Sequence, residues 1–375
     1  MFHLIKETTK GKARTGELIT DHGTIPTPIF MPVGTAGSVK AIDTRTLIDN
    51  VKAPLILGNT YHLYLRPGNT ILEQAGGLHR FMNWPGALLT DSGGYQVFSL
   101  SDIRKLEHDG VVFKSHLDGS RHKFTPENVI ESQRYFGSDI MMVLDECPPH
   151  PASESYVKKS LDLTHRWAKQ CYTSYKNSSD RYHHRQFLFG ITQGGVYPEL
   201  RKQSVRELSE INFDGMAIGG LSVGEPADIM YEMTDISTDM LPRYKPRYLM
   251  GVGTPADLLE SVARGVDMFD CVMPTRNARN GMLFTRNGII NIRNARWKTH
   301  FSSADSEFPS DLCQNHTMAY LHHLFRANEI LGLQLATAHN LTFYLWLMNE
   351  VRTQITNDTF YEWYPVMAEN VKRRL

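Results

Sequence analysis

Eight short apolar runs, nearly all with a polar residue or a glycine at the C-terminal end of the strand, constrain this chain more than any other feature. They are PIFMPV (28–33), PLILGN (54–59), ALLTDSGG (87–94), DIMMVLDE (139–146), FLFGITQGG (187–195), GMAIGG (215–220), RYLMGVG (247–253) and DMFDCVMP (267–274). Runs this short and this apolar suit strands buried on both faces of a parallel sheet. Helix-patterned segments lie between most of them. In Ser153–Tyr175, Val157, Leu161, Leu163, Trp167 and Cys171 recur near a 3.6-residue period. Others are expected near 126–137, 197–210, 225–238 and 254–264. Thr125-Pro126 and Thr254-Pro255 each read as an N-cap followed by a first-turn proline.

Alternation of this kind predicts an α/β fold, a (β/α)8 barrel, with an open doubly wound sheet as the competitor. The strand ends decide between them. Asn59, Asp91, Asp145, Gln193, Gly220, Gly251 and Asp270 all fall at the C-terminal end of a run. A barrel gathers those ends into one mouth, where barrel active sites lie. Two segments interrupt the pattern. Residues 99–126 read as a hairpin insertion over the mouth, turning at Asp118-Gly119. Residues 271–345 read as an elaboration that begins with a strand-like insertion and ends in helices. With no Pro/Ser-rich linker, 1–375 is expected to be a single domain.

Charge needs two scales. The 40 Lys+Arg balance 40 Asp+Glu, which taken alone argues against a general polyanion binder. Between Cys271 and His300, however, Arg276, Arg279, Arg286, Arg293, Arg296 and Lys298 occur with no acid. They are interleaved with asparagines, Phe284 and Trp297, which suits contacts to phosphates and unpaired bases; a solvated face is the plainer reading. The four cysteines, Cys147, Cys171, Cys271 and Cys313, form no CxxC pair, so a reducing, cytoplasmic setting is expected. No stretch approaches the ~20 apolar residues of a membrane span, and no signal peptide is seen at the start.

Asp91, Asp145 and Asp270 each end an apolar strand. A carboxylate so placed sits on a rigid element and is partly desolvated, although capping a following helix is the bland alternative. Two carboxylates flanking a glycosidic bond can serve as nucleophile and general acid/base, while a third accepts hydrogen bonds from a base edge. Tyr95, after Ser92-Gly93-Gly94, is as suited to stacking on a heterocycle as to the core. The run Gly219–Glu225 offers bare backbone groups or a simple turn, with no Lys or Arg near it in sequence. Cys147 reads as packing or pocket lining, not as a nucleophile.

At these residues the chain resembles the bacterial tRNA-guanine transglycosylases, also called queuine tRNA-ribosyltransferases. The matching segments include FMPVGTAGSVKA (30–41), LGNTYHLYLRPG (57–68), LLTDSGGYQVFSL (88–100), DECPPHP (145–151), ITQGGVYPELR (191–201), AIGGLSVGEP (217–226), YLMGVGTPADLLE (248–260) and MFDCVMPTRNARNG (268–281). The likeness covers nearly the whole chain. It implies exchange of the wobble guanine of GUN-anticodon tRNAs for 7-aminomethyl-7-deazaguanine, through a covalent aspartyl–ribosyl intermediate. Asp270 then stands as nucleophile and Asp91 as general acid/base. Asp145, Gln193, Gly220 and Leu221 stand at positions that recognise the base, and Tyr95 and Met250 at those that sandwich it. Cys147 and Val223 match the bacterial form. Arg276 and Arg279 stand at positions gripping the neighbouring uridines.

The resemblance also implies a homodimer with an aromatic cluster of Phe81, Tyr320 and His323 at its interface. It implies no cofactor at the reacting centre and a structural zinc held by CxCxxC and a later histidine. Here that stretch is Phe308-Pro309-Ser310-Asp311-Leu312-Cys313, leaving Cys313 and His339 as a remnant. Two ligands do not close a tetrahedral thiolate/imidazole site, so zinc is expected to be absent and the dimer weakened. A non-catalytic tRNA-binding or scaffold subunit, and a barrel acting on free nucleosides, are the alternatives; the second leaves the basic block unexplained.

Overall fold

The structure is a computed structural model and describes residues 1–100 and 104–375. All eight apolar runs form strands of one parallel sheet: Ile29–Met31, Leu55–Gly58, Ala87–Thr90, Ile140–Met142, Phe187–Thr192, Gly215–Ile218, Arg247–Leu249 and Met268–Asp270. Each pairs with its neighbours in chain order, and Met268–Asp270 returns to pair with Ile29–Met31. The Val33–Leu57 bridge, with Gly34 N–H donating to Leu57 O at 2.7 Å, joins the remaining two edges and closes the barrel.

The helices begin where the sequence places them. Thr125 caps Pro126–Phe136 in a reciprocal box with Asn128, and Thr254 caps Pro255–Ala263. Ser153 caps Glu154–Asn177, which buries Trp167 and Cys171 in the barrel core and Val157 and Leu161 against Leu200, while Leu163 lies at the edge of that face. Pro198–Ser209 and Ala227–Met240 complete the expected set.

The barrel floor was not read from the sequence. Three antiparallel strands, Phe2–Glu7, Arg14–Thr20 and Gly23–Thr27, lie at the N-terminal ends of the barrel strands. Buried Arg14 ties this sheet to Asp267 by two bonds of 2.9 and 2.5 Å, immediately before the last barrel strand.

The first interruption is a three-stranded antiparallel sheet, Arg104–Glu107, Gly110–Lys114 and Arg121–Phe124, turning at Asp118-Gly119 as expected. Positions 101–103 of that segment lie outside the described residues. The second interruption differs from expectation at both ends. It opens with a helix, Met273–Arg279, and only then forms the hairpin Met282–Thr285/Gly288–Asn291. At its other end, Ile330–Thr356 runs unbroken through residue 345, packing on the elaboration and on the barrel. The elaboration has its own apolar cluster, with Leu283, Ile290, Trp297, Leu321 and Phe325 at its centre. A final helix, Phe360–Lys372, delivers Arg374 into parallel pairing with Ile289.

Candidate active site

The mouth holds a cavity of ≈ 300 Å³ lined by Asp91, Tyr95, Asp145, Cys147, Gln193, Gly220, Leu221, Met250, Asp270 and Arg276. Ten of the residues singled out in the sequence therefore meet at one place. Arg279 does not line it: its guanidinium donates back to Thr275 O of its own helix at 2.9 Å. Cys313 and His339 lie elsewhere, in the elaboration.

Asp270 ends the last strand. Its Oδ1 accepts from the Tyr248 hydroxyl at 2.6 Å and from Gly251 N–H at 2.8 Å. No hydrogen bond reaches Oδ2 among the described residues, so that oxygen retains its lone pairs toward the cavity. Burial pushes the Asp270 carboxyl above the usual range, and the two donors oppose that shift.

Asp91 is held by Asn59 Nδ2 on Oδ2 at 2.5 Å and by Thr60 and Gly93 N–H on Oδ1 at 2.9 and 3.1 Å. Desolvation still dominates, and with the negative charges of Asp270 and Asp145 it raises Asp91 to about 7. A carboxyl poised near neutrality is suited to both giving and taking a proton. The turn that carries it needs glycine at 93, where φ is +76° and a Cβ would stand 2.8 Å from Tyr61 N.

Asp145 accepts from Gln193 Nε2 at 2.7 Å and from the Ser92 hydroxyl at 3.1 Å. Burial pushes it up to about 6. Gln193 Oε1 is buried without a partner among the described residues, an acceptor at the cavity wall. Gly220 closes this side; its φ is +66° and a Cβ there would fall 2.1 Å from that same oxygen. Tyr95 is 52% exposed, which places it on the rim rather than in the core. Burial raises the Cys147 thiol to about 12, so it lines the pocket as a neutral group.

Sequence reasoning missed three supports. Tyr248 carried no signal that set it apart from other strand tyrosines. Glu225 accepts from Ser222 and Val223 N–H and so fixes the loop after Gly220. Arg201, absent from the sequence neighbourhood of Gly219, is brought beneath it by the barrel. Its guanidinium donates to Gly195, Gly219 and Gly220 carbonyls at 2.8, 2.7 and 3.1 Å. Those bonds occupy it as a scaffold for the loop.

The basic block is likewise partly spent. Arg286 forms a two-pronged pair with Asp305, both bonds 2.6 Å, so an acid from beyond the block neutralises it. Arg276, Arg293, Arg296 and Lys298 remain exposed.

The remnant site does not fit zinc. His339 Nε2–H donates to Phe284 O at 2.9 Å, and burial holds the ring neutral by lowering its pKa to about 4. Its Nδ1 accepts from the Ser310 hydroxyl at 2.9 Å and lies 3.7 Å from Cys313 Sγ. Phe308 packs its ring 5.5 Å from that of His339. An apolar ring and a neutral hydroxyl stand where two thiolates would be needed, and the histidine's lone pair is already engaged.

A family model described as queuine tRNA-ribosyltransferase matches residues 8–373. A queuine tRNA-ribosyltransferase of Caldanaerobacter subterraneus subsp. tengcongensis is 56% identical over 361 residues, covering 96% of this chain and 95% of the relative. One of Halothermothrix orenii is 52% identical over 361 residues, with the same shares covered. One of Natranaerobius thermophilus is 51% identical over 369 residues, 98% of each chain.

Proposed function

Because the chain belongs to the queuine tRNA-ribosyltransferase family, we propose that its barrel mouth exchanges the wobble guanine of GUN-anticodon tRNAs for 7-aminomethyl-7-deazaguanine. It is a pentosyltransferase acting on tRNA. The observation that carries the residue assignment is one cavity holding three acids in different states. Among the described residues, Asp270 has an oxygen free of hydrogen bonds, Asp91 is poised near neutrality, and Asp145 is tied to an amide.

The wobble nucleotide leaves its stack and enters the cavity, with its base between Tyr95 and Met250. Asp270 Oδ2 attacks C1′ as the bond from C1′ to N9 breaks, and the departing guanine takes that electron pair. Asp91 supplies the proton the anion needs. Free guanine leaves, the deazaguanine enters, and Asp91 takes the proton from its N9. That nitrogen attacks C1′ and releases the Asp270 carboxylate. No metal or redox group enters this balance. Asp145 and Gln193 face the pyrimidine edge of either base, with the Gly220–Leu221 backbone beside them. Cys147 and Val223 bound the space around the 7-substituent and leave too little of it for queuine. Arg276 and Arg279 are assigned to the flanking uridines, and Phe81, Tyr320 and His323 to a homodimer surface. Phe81 and Tyr320 are 46% and 40% exposed, which supports that surface. No helix among the described residues is long and apolar enough to cross a membrane; we place the enzyme in the cytoplasm, with its tRNA.

Incorporation of labelled guanine into a GUN-anticodon tRNA tests this directly. The parent should exchange, and Asp270→Asn should abolish exchange while leaving tRNA affinity largely intact. Binding without exchange in the parent would instead mark a scaffold subunit. Efficient use of queuine would overturn the choice of base.

A further inference from the structure

A second cluster of chemically capable side chains lies at the opposite end of the barrel. His22 sits in the turn between Arg14–Thr20 and Gly23–Thr27, His79 in the helix Leu78–Met82, and His184 in the loop before Phe187–Thr192. Each offers a ring nitrogen, and those three atoms all lie within 4.8 Å of one another. We propose that this floor cluster is a binding site for a borderline divalent transition-metal ion of the Zn²⁺ type, held by three imidazoles with water completing the shell.

Hydrogen bonding supports the assignment independently of proximity. A metal-binding imidazole uses one nitrogen for the ion and donates its other N–H to a carboxylate or carbonyl. All three rings have that second partner. His22 Nδ1 bonds Asp139 Oδ1 at 2.7 Å, and His79 Nε2 bonds Gly86 O at 3.1 Å. His184 Nε2 bonds Gly137 O at 2.8 Å. These bonds set the tautomers of His22 and His79 and leave His22 Nε2 and His79 Nδ1 with lone pairs. His184 faces two carbonyls, Gly137 O from Nε2 and, at the longer 3.3 Å, Tyr182 O from Nδ1, so binding an ion through Nδ1 displaces the weaker of the two contacts. Asp139 is itself fixed, accepting from Leu88 N–H at 2.8 Å, so it is a buried orienting carboxylate.

Three nitrogen donors select a borderline ion over the hard, oxygen-seeking Mg²⁺ and Ca²⁺. His22 and His79 lie stacked, with ring centroids 3.7 Å apart and planes at 12°. Two stacked rings do not point their lone pairs at one atom, so binding must turn at least one of them. His22 is on a hairpin turn with its side chain 24% exposed, the position freest to do so. The ion would then join the floor sheet, the helix and the loop, which come from three distant parts of the chain.

The test uses the full-length protein after chelator treatment, titrated with Zn²⁺ by calorimetry and with Co²⁺ in the visible. The expected result is one Zn²⁺ per chain at micromolar affinity or tighter. The Co²⁺ spectrum should show nitrogen and oxygen donors and no thiolate band. The melting temperature should rise with added metal. His22→Gln and His184→Gln should each weaken binding at least tenfold, and Cys313→Ser should leave it unchanged. Both glutamine variants lie on surface loops, and their melting without metal, compared with the parent's, reports whether the fold is kept. Absence of micromolar binding in the parent overturns the proposal. So does a thiolate band, or binding lost in Cys313→Ser and kept in His184→Gln.

Discussion

The Tyr248 hydroxyl donates to Asp270 Oδ1 at 2.6 Å, from the strand next to the one that Asp270 ends. The bond favours the ionised carboxylate, the form a nucleophile must have, against the desolvation that raises its pKa. Hydrogen bonds to charged groups are worth roughly 1.5–3 kcal/mol, and a pKa unit about 1.4 kcal/mol. Tyr248→Phe keeps the ring and should therefore move the acid limb of kcat/KM upward by about one unit. Exchange should fall about tenfold on that limb and change little above it. A pH–rate profile checks this; an equal loss at every pH would mean Tyr248 acts only by packing.

Asp145 yields a prediction of opposite sign for function and stability. Its carboxyl titrates near 6 in the folded protein against an ordinary value of 3.8. The folded state thus binds its proton more tightly than the unfolded state. That contribution is present in full below about pH 4 and is lost as pH rises through 6, leaving a desolvated charge in the fold. Asp145→Asn removes the charge, and rotation of the Gln193 amide offers its unpartnered Oε1 to the new donor. Stability should rise at pH 8 by on the order of 2 kcal/mol, read as a higher melting temperature, and the gain should vanish below about pH 4. Base exchange should be lost at both. A destabilised variant at pH 8 would show that the carboxylate's hydrogen bonds outweigh its desolvation.

The arginines of the basic block should separate by salt dependence. Arg276 is exposed at the cavity rim, and no hydrogen bond or ion pair engages its guanidinium among the described residues. Arg286 is committed to Asp305. Arg276→Ala should reduce the slope of log affinity for tRNA against log salt by about 0.7–0.9, the share of one phosphate contact. Arg286→Ala should leave the slope alone and lower the melting temperature. A salt titration of tRNA binding decides, and an unchanged slope for Arg276→Ala would remove it from the interface.

What was legible in the sequence follows from what is local. The barrel strands announce themselves because an apolar run that stops at Asp91 or Gln193 carries both its burial and its direction. The helix starts at Thr125 and Thr254 are equally local. The floor sheet was not legible, because Phe2–Glu7 is only half-buried and its polar residues blur the alternation. Arg201 and Asp305 were missed for another reason. Each acts on a partner far along the chain, Arg201 on the Gly219–Gly220 carbonyls and Asp305 on Arg286, and only closure of the fold makes them neighbours. Charge counting over a window therefore overstated the free basic surface.

Cys313 and His339 stand at a spacing that two zinc ligands would need, so a metal site can be built around them. Cys313 Sγ stands 3.7 Å from His339 Nδ1. Zinc–sulfur and zinc–nitrogen bonds of about 2.3 and 2.0 Å at a tetrahedral angle put those atoms roughly 3.5 Å apart. Ser310 contacts the same nitrogen at 2.9 Å, and Phe308 lies against the same ring. Phe308→Cys with Ser310→Cys would supply two thiolates, free the Nδ1 lone pair and leave His339 Nε2 oriented by Phe284 O. The double variant should bind one further zinc per chain and give a thiolate-to-metal band with Co²⁺, while the parent gives none. Its melting temperature should depend on that metal, falling below the parent's in chelator because a buried aromatic ring has gone. Ser310→Cys alone, with three ligands and Phe308 still in place, should not acquire the band. A thiolate band in the unaltered chain would show that Cys313 and His339 already hold an ion, and that the hydroxyl and the ring do not exclude it.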